Sequence, residues 1–350
     1  MRKILLICLI MVMSGCNNSH SIEMIDLSDM SLSQIEDYAH SNNLVLDIKQ
    51  EYNNELDEGA IISQSVAPHA IIREYATLAV VVSKGPIPLS LYREYKVNEL
   101  GNVPIMMYHG IVNMKSEDTS YTGGNVDVNG YNRTTESFIS DLEMYYSNNY
   151  RMMRLIDYMN GEIDIPLGKS PIILTFDDGN INNINILGLD DNNNLIIDPN
   201  SAVGILESFK DKYPDFNVTA TFFLTSSLFG QPQYNEQILN WLVDNDYDIG
   251  NHTKNHIDFK TINSYQTQDE VSYMYMLFDN LIKNKYIHVV ALPFGSPGKK
   301  SHVNFPYIID GIVGNYHYVT EGTLQVGWDA SYSPFHVNYD KTFIKRVRAW

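Results

Sequence analysis

Apolar and polar positions repeat in two different rhythms along the chain, and these rhythms predict two folded parts. In residues 23–85, Ser31 precedes a helical repeat of apolar positions that runs to about Asn42, with Ser31 as the expected N-cap. Three strand-like runs follow, at 44–50, 60–66 and 76–83. One helix and three strands predict a small α+β binding module that carries no catalytic chemistry.

From residue 103 to residue 350, apolar runs alternate with helical repeats. The predicted strands cover 103–108, 171–176, 218–224, 247–250 and 288–292, and the predicted helices cover 135–147, 202–212, 236–244 and 269–285. This alternation predicts an α/β domain, built as a parallel (β/α) barrel or a distorted relative of one. Residues 86–102, with Pro86, Pro88 and a polar stretch, are the expected linker between the two parts.

The N-terminus predicts export and anchoring. Arg2 and Lys3 precede an apolar run that is too short to span a bilayer, and Ser14, Gly15 and Cys16 follow it. This arrangement resembles a bacterial lipoprotein signal, which implies removal of residues 1–15, lipid on Cys16 and an extracytoplasmic location on the cell membrane. An uncleaved anchor and an ordinary signal peptide are the alternatives.

Charge narrows the class of partner. The formal net charge is −18, and removal of residues 1–15 makes it −20, since 24 − 2 = 22 basic residues remain against 42 acidic ones. So acidic a chain argues against nucleic acid as a partner. Of the two cysteines, Cys8 lies in the segment predicted to be removed, so no disulfide framework is expected.

Two pairs of residues carry the candidate chemistry. Asp177 and Asp178 close an apolar strand-like run, and His252 and His256 follow another one. One Asp and two His would hold a metal with a position left open for water, and the second Asp could take the proton of that water. If the His segment is helical, both rings share one face. The alternative for Asp-Asp-Gly taken alone is a turn; together, the pairs indicate metal-assisted hydrolysis.

The first part resembles the PASTA domain. The similarity lies in Met24–Leu27, Gln64–Pro68 and Val80–Pro86 and spans residues 23–85. PASTA domains occur on bacterial cell-wall enzymes and kinases, and some bind peptidoglycan fragments. The resemblance therefore implies either binding of peptidoglycan or a spacer that holds the second part off the membrane.

The second part, residues 103–350, resembles the polysaccharide deacetylases, the NodB homology domain of carbohydrate esterase family 4. Thr175–Gly179 matches the first motif of that family, Asn251–His256 the second, and Ala220–Leu224 the intervening strand. The resemblance implies a distorted (β/α) barrel of the NodB type. It also implies Asp177 as general base and a divalent metal, Zn²⁺ or alternatively Co²⁺ or Ni²⁺, on Asp178, His252 and His256.

The same resemblance implies a hydrolase of linear amides that removes N-acetyl groups from a cell-wall or extracellular amino-sugar polysaccharide, of the peptidoglycan or poly-N-acetylglucosamine type. Two alternatives stay open: an esterase that removes O-acetyl groups, and a wall-binding lipoprotein whose catalytic domain has decayed. The second is favoured by Ala291, because many family members have at this position an arginine that orients the base.

The remaining motifs match less closely. Pro293 and Phe294 resemble the third motif, in which a backbone amide holds the developing oxyanion, and Trp328 is a candidate wall of the acetyl pocket or an ordinary core residue. The run that ends at His109 resembles the opening strand of circularly permuted members, in which the equivalent histidine is the general acid. His336 is the second candidate for this role.

Two further segments need an interpretation. Asn180–Asn200 is rich in Asp and Asn, and it predicts a solvated loop near the cleft, with a calcium loop as the alternative. Residues 344–350 predict a strand that stops abruptly, as in a truncated chain.

Overall fold

The computed structural model describes residues 21–53, 55–94, 100–115, 126–127 and 131–349, and the chain divides into two compact units after Glu94. The predicted signal segment and Cys16 lie outside the described residues, as does Trp350. Within the described ranges, no helix combines the length and the apolar character needed to cross a membrane.

The first unit is a three-stranded sheet with one long helix and a small two-stranded ribbon. Its elements are β1 (Ser21–Glu23), α1 (Leu32–Ser41), β2 (Val45–Glu51), β3 (Ile61–Gln64), β4 (Ile71–Arg73), β5 (Thr77–Ser83) and α2 (Leu89–Glu94). In the sheet, β5 lies between β2, which is parallel to it, and β3, which is antiparallel; β1 pairs with β4. The short helix α2 lies in the segment predicted as a linker.

The sequence explains why this unit folds in this way. The Ser31 hydroxyl accepts a hydrogen bond from the Gln34 amide, and the Gln34 side chain accepts one from the Ser31 amide, so the predicted N-cap is a complete capping box. Leu78 and Val80 alternate along β5, are fully buried, and pack in one cluster with Ile35 of α1. The predicted helix and three strands are confirmed.

The second unit alternates strands with helices. Its elements are β6 (Ile105–Tyr108), β7 (Ile111–Val112), β8 (Arg133–Thr134), α3 (Thr135–Ser147), β9 (Tyr150–Met152), α4 (Leu155–Asn160), β10 (Ser170–Phe176), β11 (Ile186–Leu189), β12 (Leu195–Ile197), α5 (Ala202–Lys212), β13 (Thr221–Leu224), α6 (Asn235–Asp244), β14 (Asp248–Asn251), α7 (Ser264–Ile282), β15 (Val289–Ala291), α8 (Phe305–Ile309), β16 (Asp310–Val313), β17 (Tyr316–Val319), β18 (Gly322–Leu324) and β19 (Val347–Arg348).

Eight of these strands form one curled parallel sheet. Seven follow the order β18-β15-β14-β13-β10-β6-β19, and β9 pairs with β10 beside them. The two ends of the sheet approach each other: the Ile344 amide donates to the Thr323 carbonyl, and the Gln325 amide donates to the Ile344 carbonyl. The predicted distorted barrel is therefore confirmed.

Side-chain alternation along β10 fixes which residues face the inside of the barrel. Ile172 and Leu174 pack in the larger cluster with the helices, whereas Ile173 packs in a smaller cluster with residues of other barrel strands, such as Ala291. Because side chains on a strand alternate, Asp177 continues the inward face that Ile173 begins. Since the eight strands of the curled sheet are parallel, their carboxyl ends lie at the same end of the barrel.

Several element boundaries differ from those predicted. Helix α7 begins at Ser264, five residues before the predicted start, because the Asn263 side chain and Gln266 form a capping box there. Helix α3, by contrast, has the predicted bounds, and Thr134 caps it, since its hydroxyl accepts from the Ser137 amide. The short elements β9 and α4 were not predicted, since three to six residues carry too little periodicity to stand out.

Candidate active site

Three strands of the curled sheet end in the polar residues that the sequence singled out: the neighbours β6 and β10, and β14, which β13 separates from β10. Asp177 and Asp178 follow β10, His109 follows β6 and His252 follows β14. The Asp177 amide still donates to the Tyr108 carbonyl, which continues the β6–β10 ladder by one step. All four side chains line one cavity at the carboxyl end of the barrel. The strand order thus brings together residues that are far apart in sequence.

The chain then turns sharply, which separates the two carboxylates. Asp178 has φ of 76° and Gly179 has φ of 69°, both in the left-handed region. A Cβ at position 179 would collide with the Leu228 carbonyl oxygen, so glycine is required there for space as well as for conformation. As predicted, the two Asp side chains serve different partners.

Asp177 forms a buried ion pair with Arg346. The guanidinium Nη1 and Nη2 atoms each donate to one carboxylate oxygen, and both distances are 2.7 Å. Arg346 is 0% exposed and Asp177 is 1% exposed. Burial disfavours the carboxylate, but the Arg346 guanidinium and the nearby His252 overcome it and hold the pKa of Asp177 well below its usual value. Asp177 is therefore an ionised carboxylate whose position is fixed by two charge-assisted bonds.

Arg346 places a guanidinium beside Asp177 although alanine occupies position 291. The backbone at Ala291 contributes its carbonyl to the site, while the cation beside Asp177 comes from the segment that leads into β19. Further hydrogen bonds run from Arg346 Nε to the Gln325 carbonyl and from Nη1 to the Thr175 hydroxyl. The sequence contains one signal for this role, a basic residue in a strand-like terminal run, but only the curled sheet shows that the run lies beside β6.

Asp178, His252 and His256 converge on one point. His252 Nε2 lies 3.3 Å and His256 Nε2 lies 3.4 Å from the same Asp178 oxygen, Oδ1. His252 is fixed by its other nitrogen, since Nδ1 lies 2.8 Å from the Ala291 carbonyl oxygen and donates to it. A shared face for the two His rings would have required a helix, but the segment is not helical. It is a loop instead, in which the left-handed residues Thr253 and His256 bring the rings together.

The electrostatics of this group are those of a cation site. Burial opposes a charge on His252, but the Asp177 and Asp178 carboxylates outweigh it and raise the pKa of His252. Burial and the neighbouring His252 lower the pKa of His256. Burial also opposes the charge on Asp178, yet the nearby His252 ring keeps the pKa of Asp178 lowered. Two carboxylates in one small cavity thus favour positive charge between them.

The donor set fits a metal ion. Metal–nitrogen and metal–oxygen bonds of about 2.0–2.1 Å in a tetrahedral site place neighbouring ligand atoms roughly 3.3–3.4 Å apart. The observed separations of 3.3 and 3.4 Å agree with this. Moreover, Asp178 Oδ1 and His252 Nε2 are buried atoms without a hydrogen-bond partner among the described residues. Three protein ligands leave one position of a tetrahedral ion for water, as in catalytic zinc sites.

His109 faces this group within the cavity, whose volume is about 330 Å³. Its Nδ1 is buried without a hydrogen-bond partner among the residues described, and burial lowers the pKa of the ring against the pull of both Asp carboxylates. The backbone at His109 is held by Asn183, which is fully buried and donates from Nδ2 to the His109 carbonyl at 2.7 Å. His336, the second candidate, is exposed, stacks on Tyr332 and does not line the cavity.

The predicted oxyanion and acetyl-binding residues differ in placement. Phe294 lines the cavity with a left-handed φ of 58°, and its ring lies 4.5 Å from that of His256. Pro293 is buried behind it. Trp328 neither lines the cavity nor belongs to the core: it is 59% exposed. The apolar part of the cavity wall is formed by Leu292, Val326 and Tyr131 instead, which the sequence did not single out.

The Asp- and Asn-rich insertion forms the β11–β12 hairpin. At its tip, Asp190 accepts hydrogen bonds from the Asn192 amide and from the amide and side chain of Asn194. These bonds show that Asp190 stabilises the turn of the hairpin, which explains why an acidic residue occurs there. The start of the insertion serves the site, because Asn183 lies there.

Two family models match the chain. A model described as polysaccharide deacetylase matches residues 164–304, and one described as PASTA domain matches residues 22–84. Both resemblances read from the motifs are thereby confirmed. His109 and Arg346 lie on either side of the first matched range.

Three solved structures can be compared with this chain, and the first of them shares its fold. The deacetylase PplD of Streptococcus pyogenes in complex with acetate is 16% identical with a TM-score of 0.50, covering 71% of this chain and 92% of that chain. A de-N-acetylase from Aggregatibacter actinomycetemcomitans is 14% identical with a TM-score of 0.44, covering 70% and 94%. The extracellular region of the Ser/Thr kinase PrkC from Staphylococcus aureus is 30% identical with a TM-score of 0.18, covering 19% and 23%. No match was found among curated protein sequences.

Proposed function

We propose that the chain, which carries a polysaccharide deacetylase domain, is a metal-dependent hydrolase of N-acetyl groups on a cell-wall or extracellular amino-sugar polysaccharide. The observation that carries the proposal is the content of one cavity. A carboxylate fixed by a buried arginine, a three-residue metal-ligand set and a buried imidazole face the same space of about 330 Å³. Hydrolysis of an amide needs a base, an electrophile and an acid, and each group fits one of these roles.

The ligand set Asp178, His252 and His256 would hold a divalent ion, for which we propose Zn²⁺. When bound, such an ion supplies a Lewis acid that polarises the amide carbonyl and lowers the pKa of water. The chemistry of two nitrogen donors and one oxygen donor also suits Co²⁺ and Ni²⁺. The Ala291 carbonyl fixes the tautomer of His252, because it accepts from Nδ1 and so leaves Nε2 as the nitrogen that would bind the ion.

Asp177 is the proposed general base. Both of its oxygens accept from Arg346 at 2.7 Å, and each oxygen keeps a second lone pair for the proton of the attacking water. Its lowered pKa keeps the group ionised over the whole working range of pH. Arg346 thus makes Asp177 less basic in exchange for a fixed orientation, which favours a near-attack geometry.

His109 is the proposed general acid. It would protonate the amide nitrogen as the carbon–nitrogen bond breaks, so that the products are acetate and a glycan amine. Its lowered pKa makes the proton easier to donate once the imidazolium has formed. We propose that the Phe294 backbone amide, at the cavity wall, donates a hydrogen bond to the oxyanion, in addition to the stabilisation that a bound ion would supply.

The test is acetate release from chitooligosaccharides and from peptidoglycan, with and without chelator, for the native enzyme and for Asp177→Asn. We expect release that requires the metal and falls at least about hundredfold in the variant. Release that survives both treatments would refute the metal mechanism. Release only from O-acetylated glycans such as acetylated xylan would turn the assignment to an esterase, and release from no acetylated glycan would support the decayed, wall-binding alternative.

We further propose that the first unit binds peptidoglycan and that lipid on Cys16 holds the enzyme on the outer face of the bacterial membrane. The PASTA family match supports the first part. Pull-down of the chain by insoluble peptidoglycan, compared with a chain that lacks residues 22–84, tests wall binding. Incorporation of labelled palmitate into the native chain but not into Cys16→Ser tests the anchor.

A further inference from the structure

The segment around β19 carries two arginines to the site. Arg346 immediately precedes β19 and Arg348 lies within it, two residues further on, so alternation along the extended chain directs both side chains to the same face. Arg346 reaches Asp177 inside the barrel. Arg348 contacts Tyr131, a residue of the cavity wall, and its amide donates to the Gly327 carbonyl. The ladder that positions Arg346 therefore positions a second cation at the edge of the cavity.

Arg348 lies between two exposed aromatic rings. Its guanidinium carbon is 3.8 Å from the centroid of the Tyr131 ring and 5.5 Å from that of Trp328. Tyr131 is 45% exposed, lines the cavity and lies 5.0 Å from the His109 ring, whereas Trp328 is 59% exposed and lies outside the cavity. These three residues, which we call the aromatic rim, form a continuous surface from the proposed acid outward.

We propose that the aromatic rim is a subsite for the sugar next to the acetamido sugar under attack, on a continuous glycan chain. This inference rests on the proposed function and adds where the polymer lies. A pyranose ring has one face of C–H groups, and aromatic rings are the side chains that bind such a face with little loss of conformational freedom. Stacking on the guanidinium further restricts both rings before the glycan arrives.

The size of the cavity identifies the occupant. A volume of about 330 Å³ is at the lower end of the range for small-molecule sites, so it accepts the reacting sugar and little more. The neighbouring sugars of a polymer must therefore lie outside it. Tyr131 belongs both to the cavity wall and to the rim, and Arg348 links it to Trp328 outside the cavity, so Trp328 is the next aromatic surface for a chain that leaves the cavity past Tyr131.

The experiment measures KM and kcat for acetate release from chitooligosaccharides of two to six sugars, in the full-length enzyme with its metal. The variants are Trp328→Ala, Trp328→Phe and Arg348→Lys. The matched control is Tyr265→Ala, since Tyr265 is 67% exposed at the start of α7 and does not line the cavity. Thermal melting of each variant shows whether the fold is retained.

We expect Trp328→Ala to raise KM for the longer oligosaccharides by about five- to tenfold with little change in kcat, the size of effect that one aromatic contact supplies. In Trp328→Ala, the difference in KM between short and long oligosaccharides should therefore shrink. Trp328→Phe should restore most of this difference, and Arg348→Lys should give a difference between those of Trp328→Ala and Trp328→Phe. Equal KM in native enzyme and Trp328→Ala, or an effect of the same size at every chain length, would overturn the inference while leaving the deacetylase activity in place. Absence of acetate release from any oligosaccharide would instead contradict the proposed function.

Discussion

Replacement of Arg346 by methionine tests the buried ion pair between Arg346 and Asp177. In the native structure Arg346 is fully buried, and both of its terminal nitrogens donate to Asp177. Removing one partner of a buried ion pair leaves the other charge uncompensated and costs about 3–5 kcal/mol of unfolding free energy. Methionine fills most of the volume of the arginine stem, so the loss of packing adds little.

The penalty should depend on pH in a defined direction. In the native protein the pKa of Asp177 is lowered below that of an unfolded aspartate, so its pairing stabilises the fold above about pH 4 and is lost as pH falls through the folded pKa. Without Arg346, burial raises the pKa of Asp177 above that of an unfolded aspartate, so the buried carboxyl group destabilises the fold increasingly as pH rises above about 4. The second effect makes Arg346→Met more costly at pH 7.5 than near pH 4, whereas the loss of the native pairing costs nearly the same at both pH values, because the folded pKa of Asp177 lies well below 4.

Urea denaturation of the native chain and the variant at both pH values, with chelator present throughout, measures these free energies. Asp177→Asn in the Arg346→Met background should recover at least about 2 kcal/mol relative to the sum of the single changes, because both buried charges are then removed together. None of the Arg346 or Asp177 variants should retain more than about one hundredth of the native kcat. A cost that is the same at both pH values, with no recovery in the double variant, would refute the assignment of Arg346 as the partner of the base.

Three further predictions concern the acid, the metal and the turn. His109→Asn should lower kcat by about 10²–10⁴-fold without changing the affinity for Zn²⁺, whereas His336→Asn, at the exposed second candidate, should leave kcat unchanged; the reverse pattern in steady-state kinetics would exchange the two roles. His256→Ala should weaken Zn²⁺ binding by more than about 100-fold in a competition titration with a chelating dye, and unaltered affinity would remove it from the ligand set. Gly179→Ala should lower the unfolding free energy by about 1–3 kcal/mol or more in urea, because the new Cβ meets the Leu228 carbonyl in a left-handed backbone; a neutral change would contradict the close approach seen there.

The residues of the candidate site were predictable to different degrees. Asp177, Asp178 and His252 each follow a strand with a clear apolar run, so their positions at the carboxyl end of a parallel barrel could be inferred from periodicity. His256 was expected to share a face with His252 if the segment were helical; the segment is a loop, in which Thr253 and His256 are left-handed, and both rings still lie beside Asp178. Trp328 was a candidate wall of the acetyl pocket, but it does not line the cavity and lies in the segment that follows β18.

The sequence by itself determined the two-part organisation, the α/β alternation and the candidate metal-ligand set, because these depend on local periodicity and on residue types that few other functions require. Only the tertiary structure decided what supports them. Arg346 lies 169 positions from Asp177, and no local pattern connects the two. They meet because β19 pairs with β6 at the edge of the curled sheet, which places a cation at the depth of Asp177. Pairing of distant strands is a property of the whole barrel, so the partner of Asp177 could not be predicted from the residues around Ala291.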